Sequence, residues 1–106
     1  MNRVHVYDET IGDYRIELVK NTALYDDDVH LDEEHSYYLG YVTVPQGHRI
    51  FGMAPNAVYN AYPNLTVELT YAVGGRFGFD TAHYGEDRSE NYAKNQLNHL
   101  LSTLKE

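Results

Sequence analysis

The chain has 106 residues, 42% of them hydrophobic, and 16 Asp/Glu against 8 Lys/Arg give a formal net charge of −8. That length supports one core, because two halves would each fall near the size where disulfides, metals or oligomerisation become necessary, so residues 1–106 are read as one domain. The absence of cysteine excludes disulfides, thiolate metal sites and cysteine nucleophiles, and eight dispersed bases cannot supply the cationic stripe that binding nucleic acid directly, or an anionic membrane, requires.

In chain order, Arg3–Tyr7 (R-V-H-V-Y) alternates and is rich in β-branched residues, as a short strand does. Ile11-Gly12-Asp13 turns the chain into Tyr14–Val19, where Tyr14, Ile16 and Leu18 share one face and Arg15 and Glu17 the other, so the two runs read as a hairpin. Residues 26–35 (D-D-D-V-H-L-D-E-E-H) are too polar for a core and read as an acidic loop or one turn of helix. Tyr37–Val44 is the strongest strand, ended by Pro45-Gln46-Gly47, and 48–63 is irregular, broken by Gly52, Pro55, Asn56, Asn60 and Pro63. Leu65–Val73 alternates as a second long strand, and Gly74-Gly75 makes a two-residue hairpin turn into Arg76–Thr81. A last segment carries Ala93, Leu97, Leu100, Leu101 and Leu104 at helical spacing, with Asp87 placed to cap it and Glu90 three residues on. The expected fold is α+β: an antiparallel sheet of about five strands with a C-terminal helix packed on one face.

The charge is not spread evenly. Residues 1–40 carry ten acids against three bases, a net of −7, and residues 41–106 carry six against five. Tyr7, Tyr14, Tyr25, Tyr37 and Tyr38 are interleaved with the acids, and tyrosine offers amphipathic contact area at low entropic cost. Acid plus tyrosine suits a face that meets a basic partner, and equally a solvated surface whose charge resists aggregation.

Three blocks, Leu39-Gly40-Tyr41-Val42-Thr43-Val44-Pro45-Gln46-Gly47-His48, Leu69-Thr70-Tyr71-Ala72 and Gly78-Phe79-Asp80-Thr81-Ala82-His83, resemble a family of small phage and prophage proteins. In that family G-Y-V-x-V-P-x-G-H is followed by H-G-G-L-T-Y and G-F-D-C-A-H-x-G-D. The resemblance covers somewhat under half of the chain and implies a phage origin and a compact fold. Where the family has H-G-G this chain has Thr66-Val67-Glu68, where it has Cys this chain has Thr81, and Glu86 replaces the final Asp. Loss of such reactive groups is what reuse of a scaffold for binding produces.

A phage origin sharpens the reading of the charge, since phages encode small acidic proteins, anti-CRISPR proteins among them, that occupy the nucleic-acid channel of host defence nucleases. Carboxylates in an extended array can stand in for backbone phosphates. The expected partner-binding residues are Asp26, Asp27, Asp28, Asp32, Glu33 and Glu34, with Tyr25, Tyr37 and Tyr38 stacking on guanidinium groups. The expected partner is a basic, nucleic-acid-binding host nuclease. No cofactor and no enzymatic activity are expected.

The alternative is a metal or general-base site at His48, Asp80 and His83, since two His and a carboxylate beyond strand ends suit zinc or proton transfer. His30 and His35 with the intervening acids form a weaker metal tract, of the kind that captures purification metals. A third reading is nucleotide sequestration through Arg49, Phe51, Tyr59, Asn60 and Tyr62, which requires Arg49 and Arg76 to converge. The N-terminal residues lack the apolar core of a signal peptide and no apolar run is long enough for a membrane span, so the expected location is the cytoplasm of an infected or lysogenic bacterium.

Overall fold

A computed structural model describes residues 2–24, 31–82, 87 and 89–106, with the backbone alone at 2, 23–24 and 31–35. Five strands form one antiparallel sheet: β1 (Asn2–Ile11), β2 (Tyr14–Leu24), β3 (Leu31–Thr43), β4 (Tyr71–Val73) and β5 (Arg76–Asp80), in the order β1-β2-β3-β5-β4. Among the described residues two helices accompany the sheet, α1 (Pro55–Ala61) and α2 (Glu90–Leu104). This is the α+β sheet with a C-terminal helix that the hydrophobic pattern predicts. Among the described residues no helix is long and apolar enough to cross a membrane.

Alternation decides the two faces of the sheet. Ile16 and Leu18 of β2, Tyr38 and Val42 of β3, and Phe77 and Phe79 of β5 point to the inner face, where α2 lays Ala93, Leu97, Leu100, Leu101 and Leu104 against them. Ser89, not Asp87, caps α2: its hydroxyl accepts the Tyr92 N–H, while the Asp87 carboxylate accepts the Ser89 N–H. That backbone bond holds the Asp87 carboxyl below the usual carboxylate range.

The turns follow their glycines. Gly12 and Gly74 have φ of 62° and 59°, the left-handed region that tight hairpins demand and that glycine enters without steric cost. Across β3 and β5 two glycine–aromatic pairs interlock. Gly40 pairs with Phe79 and lies under its ring on the inner face, and Gly78 pairs with Tyr41 and lies under that ring on the outer face. The first block therefore neighbours the third where Leu39–Tyr41 pair with Gly78–Asp80, and Tyr71 of the middle block pairs with Gly78 from the other side.

Several expectations about the elements are corrected. Residues 31–35, read as loop or helical turn, belong to β3, where Leu31 and Asp32 pair with Leu24 and Ala23. The irregular stretch contains α1, opened by Pro55 at a first-turn position where no N–H is needed. Both strand ends were read short, since β1 and β2 run on to Ile11 and Leu24.

The long strand at 65–73 is real only at 71–73. Leu65, Val67 and Leu69 are buried and Thr66, Glu68 and Thr70 exposed, as alternation predicts, but this segment makes no ladder. The Tyr59 hydroxyl substitutes for a neighbouring strand: it accepts the Leu69 N–H at 2.6 Å and donates to the Val67 carbonyl at 3.3 Å. Tyr59→Phe keeps the ring but leaves those two backbone groups unmatched. It should lower stability by about 1–2 kcal/mol, seen as a lower urea midpoint at unchanged slope. An unchanged midpoint would refute this role for the hydroxyl.

Candidate functional site on the outer face of the sheet

The outer face carries polar and aromatic groups in cross-strand register. Asp8 of β1 is opposite Glu17 of β2, Glu17 is opposite Tyr41 of β3, Tyr41 is opposite Gly78 of β5, and Gly78 is opposite Tyr71 of β4. Arg15 and Arg76, one pairing step away, lean across this row. The Arg15 guanidinium grips Asp8 through two bonds, Nε to Oδ1 at 3.0 Å and Nη2 to Oδ2 at 2.7 Å. The hydrogen bonds from Arg15 hold the Asp8 carboxyl below its ordinary range, and those to Asp8 raise Arg15. Both groups are well exposed, so water screens the pair and limits its contribution.

Glu17 differs. It is 4% exposed, with Arg76 Nη2 at 3.3 Å and Arg15 Nη2 at 3.8 Å from its Oε2. The Arg76 guanidinium lies 3.8 Å from the Tyr41 ring centroid and 5.6 Å from that of Tyr71, and the two rings meet edge to face at 5.5 Å. Sequence reasoning counted Glu17 in the net charge of residues 1–40 and placed it with Arg15 on one face of a strand. The structure instead spends it inside the protein, against Arg76 at a separation of 59 residues. No local pattern signals a partner that distant.

An extra residue in β1 shapes the same face. The register shifts between His5 and Tyr7, so Val6 is a bulge. His5 and Asp8, which alternation alone would send to opposite faces, therefore both point outward. His5, Asp8 and Glu17 bring ligand atoms within 4.8 Å of one another, the described residues that can converge on a cation. Both carboxylates are already paired with arginines, Asp8 with Arg15 and Glu17 with Arg76 and Arg15.

The residues expected to bind a partner divide three ways. Tyr25, Asp26, Asp27 and Asp28 lie outside the described residues, as does His30. Asp32, Glu33 and Glu34 lie on the first part of β3, ahead of the ladder with β5, which begins at Leu39. Tyr37 is half-buried on the outer face, its hydroxyl accepting from Asn21 Nδ2 at 2.5 Å. Tyr38 is the correction: adjacent strand residues point to opposite faces, and Tyr38 is 6% exposed within the core.

Of His48, Asp80 and His83, the structure describes the first two and keeps them apart. His83 lies outside the described residues. His48 Nδ1 accepts the Ile50 N–H at 3.2 Å, so Nε2 carries the proton and donates to the Leu104 carbonyl at 2.6 Å. Both ring nitrogens are thus used, and the imidazole caps the C-terminal end of α2 together with the Tyr62 hydroxyl. Asp80 stands at the far end of the β3–β5 ladder, lining a recess with Tyr92 and Gln96. Gln96 precedes Leu104 by eight residues, about 12 Å along the helix. The Asp80 carboxylate accepts the Ala82 N–H at 3.0 Å, a side-chain turn.

The residues of the nucleotide reading are engaged within the fold. Arg49 stacks on Tyr62, Phe51 lies over Gly75, the Tyr59 hydroxyl serves the backbone, and Arg76 faces Glu17 on the outer sheet face. Comparison of the chain with family models, with curated proteins and with solved structures gave no match.

Proposed function

We propose that this protein is a non-catalytic inhibitor whose acidic N-terminal part occupies the nucleic-acid-binding surface of a basic host defence protein, a CRISPR effector nuclease being the first to test. The observation that carries this reading is the segregation of charge into the first forty residues. Residues 1–40 hold −7 of the net −8, and they supply β1, β2 and the first part of β3. The β2–β3 pairing continues from Val19↔Leu39, where β5 stops, to Leu24↔Leu31. The chain joining that last pair contains Asp26–Asp28, and Asp32–Glu34 follow on β3. Asp32–Glu34 lie on the part of β3 that β5 does not pair, and an acidic strand extension there would enter a cationic channel without disturbing the β3–β5 ladder.

The test replaces Asp26, Asp27, Asp28 and Asp32 by Asn and Glu33 and Glu34 by Gln. DNA cleavage by a purified effector nuclease with its guide is then followed at increasing inhibitor. The native chain should inhibit, and its inhibition constant should rise at least about tenfold between low and physiological salt, because such contacts are counterion-linked. The six-fold variant should lose inhibition while keeping the native melting midpoint. Undiminished inhibition by that variant would overturn the reading.

A further inference from the structure

We infer that β1 is a dimerisation edge, along which two copies join their sheets into one antiparallel ten-stranded sheet about a two-fold axis passing between His5 and Val6. β1 is ten residues long and lies at the edge of the sheet; no backbone bond among the described residues reaches its outer side. Such an edge is a template for another strand. Val4 and Val6, 49% and 37% exposed, are two of the few large apolar side chains left open to water.

Three features make a second copy the matching occupant. First, β1 is charged in opposite senses along its length, with Arg3 in one half and Asp8 and Glu9 in the other. An antiparallel partner sets each basic half beside an acidic one. Second, the faces agree. Arg3 and Asp8 are outward, and Val4 and Tyr7 inward, by their pairing with Asn21, Glu17, Lys20 and Leu18. The register that puts Arg3 opposite the second copy's Asp8 also puts Val4 opposite its Tyr7. A bulge normally spoils edge pairing, but here the two bulges meet at the axis and their shifts cancel.

Third, the inner face leaves room. α2 packs over β3 and β2, so beside β1 there remains an open groove of about 210 Å³ lined by Tyr7, Lys94, Leu97 and Asn98. Val4 of the second copy, set against Tyr7, falls at that groove and covers it. The interface is independent of the inhibitor reading and would double the acidic array.

Sedimentation velocity on the full chain tests this across a concentration series, with circular dichroism as the check of folding. The expected species is twice the 12.2 kDa chain mass. Val4→Lys, an exposed change, should raise the dimer dissociation constant more than tenfold. Arg3→Asp should raise it about tenfold, since each pair occurs twice across the axis. A chain that stays monomeric at about 100 µM, where a typical weak self-association is populated, overturns the proposal, as does a dimer indifferent to Val4→Lys and Arg3→Asp.

Discussion

Gly40→Ala should destabilise the protein by about 3 kcal/mol, at the upper end of what overpacking a core costs. A Cβ at position 40 would lie 2.4 Å from two ring carbons of Phe79, which is 3% exposed and closed in by the rest of the core. The ring has nowhere to go, so the strands must part or the side chain must leave its rotamer. For a domain of this size the melting midpoint should fall by roughly 15 °C. Gly78→Ala is the control built into the same register. There the clash is with the half-buried Tyr41 ring on the outer face, at 2.5 Å, and with the Gly40 carbonyl oxygen, at 2.9 Å. The ring can tilt toward water while the carbonyl must shift slightly, so the cost should be smaller, about 1–2 kcal/mol. Equal costs at the two glycines would mean that ring freedom does not decide the outcome. Partial recovery on adding Phe79→Leu to Gly40→Ala would identify the ring as the obstacle.

Glu17→Ala should cost about 2–3 kcal/mol. Removing one partner of a buried ion pair typically costs 3–5 kcal/mol, because the remaining charge is left desolvated. The lower figure applies here since the side chains of Arg76 and Arg15 are 35% and 51% exposed and recover part of their hydration. Arg76 has little slack: its Nε is already buried without an acceptor among the described residues. Glu17→Gln retains an acceptor for Arg76 and should cost about half as much. Arg76→Met on the Glu17→Ala background removes the stranded cation. The double-mutant cycle should therefore show a coupling of about 1–2 kcal/mol. Additive losses would show that Glu17 is buried for its packing alone.

Asp8 gives the acid side of the same network a definite sign. Its carboxyl is lowered in the folded protein by the Arg15 hydrogen bonds. The contribution of the pair is therefore present above the unfolded carboxyl's range and fades as pH falls through the folded value.

What the sequence displayed and what it concealed divide along physical lines. Periodicity exposed the elements whose burial is one-sided: the α2 stripe from Ala93 to Leu104, the alternation of Tyr14–Leu18, and the Gly74-Gly75 turn. The same signal misled at Leu65–Leu69, because alternation reports which side chains are buried, whereas a strand needs a neighbour for its backbone; here that neighbour is one tyrosine hydroxyl. The seven-residue α1 is too short to establish a helical period, and its Pro and Asn residues read as breakers. Tyr37 and Tyr38 were legible after all, since consecutive residues of a strand cannot face the same partner. The roles of His48 and Glu17 were not. Each is defined by a group more than 50 residues away, Leu104 for one and Arg76 for the other. The bulge at Val6, which turns His5 toward Asp8, likewise has no glycine or proline to announce it.

The central claim is that this protein and nucleic acid compete for one surface. Its most direct test is equilibrium binding of the labelled protein to a guide-loaded effector nuclease in increasing target DNA. The account predicts mutually exclusive binding, with the apparent dissociation constant rising in proportion to free DNA and complete displacement at saturation. A stable ternary complex of nuclease, DNA and this protein would contradict it.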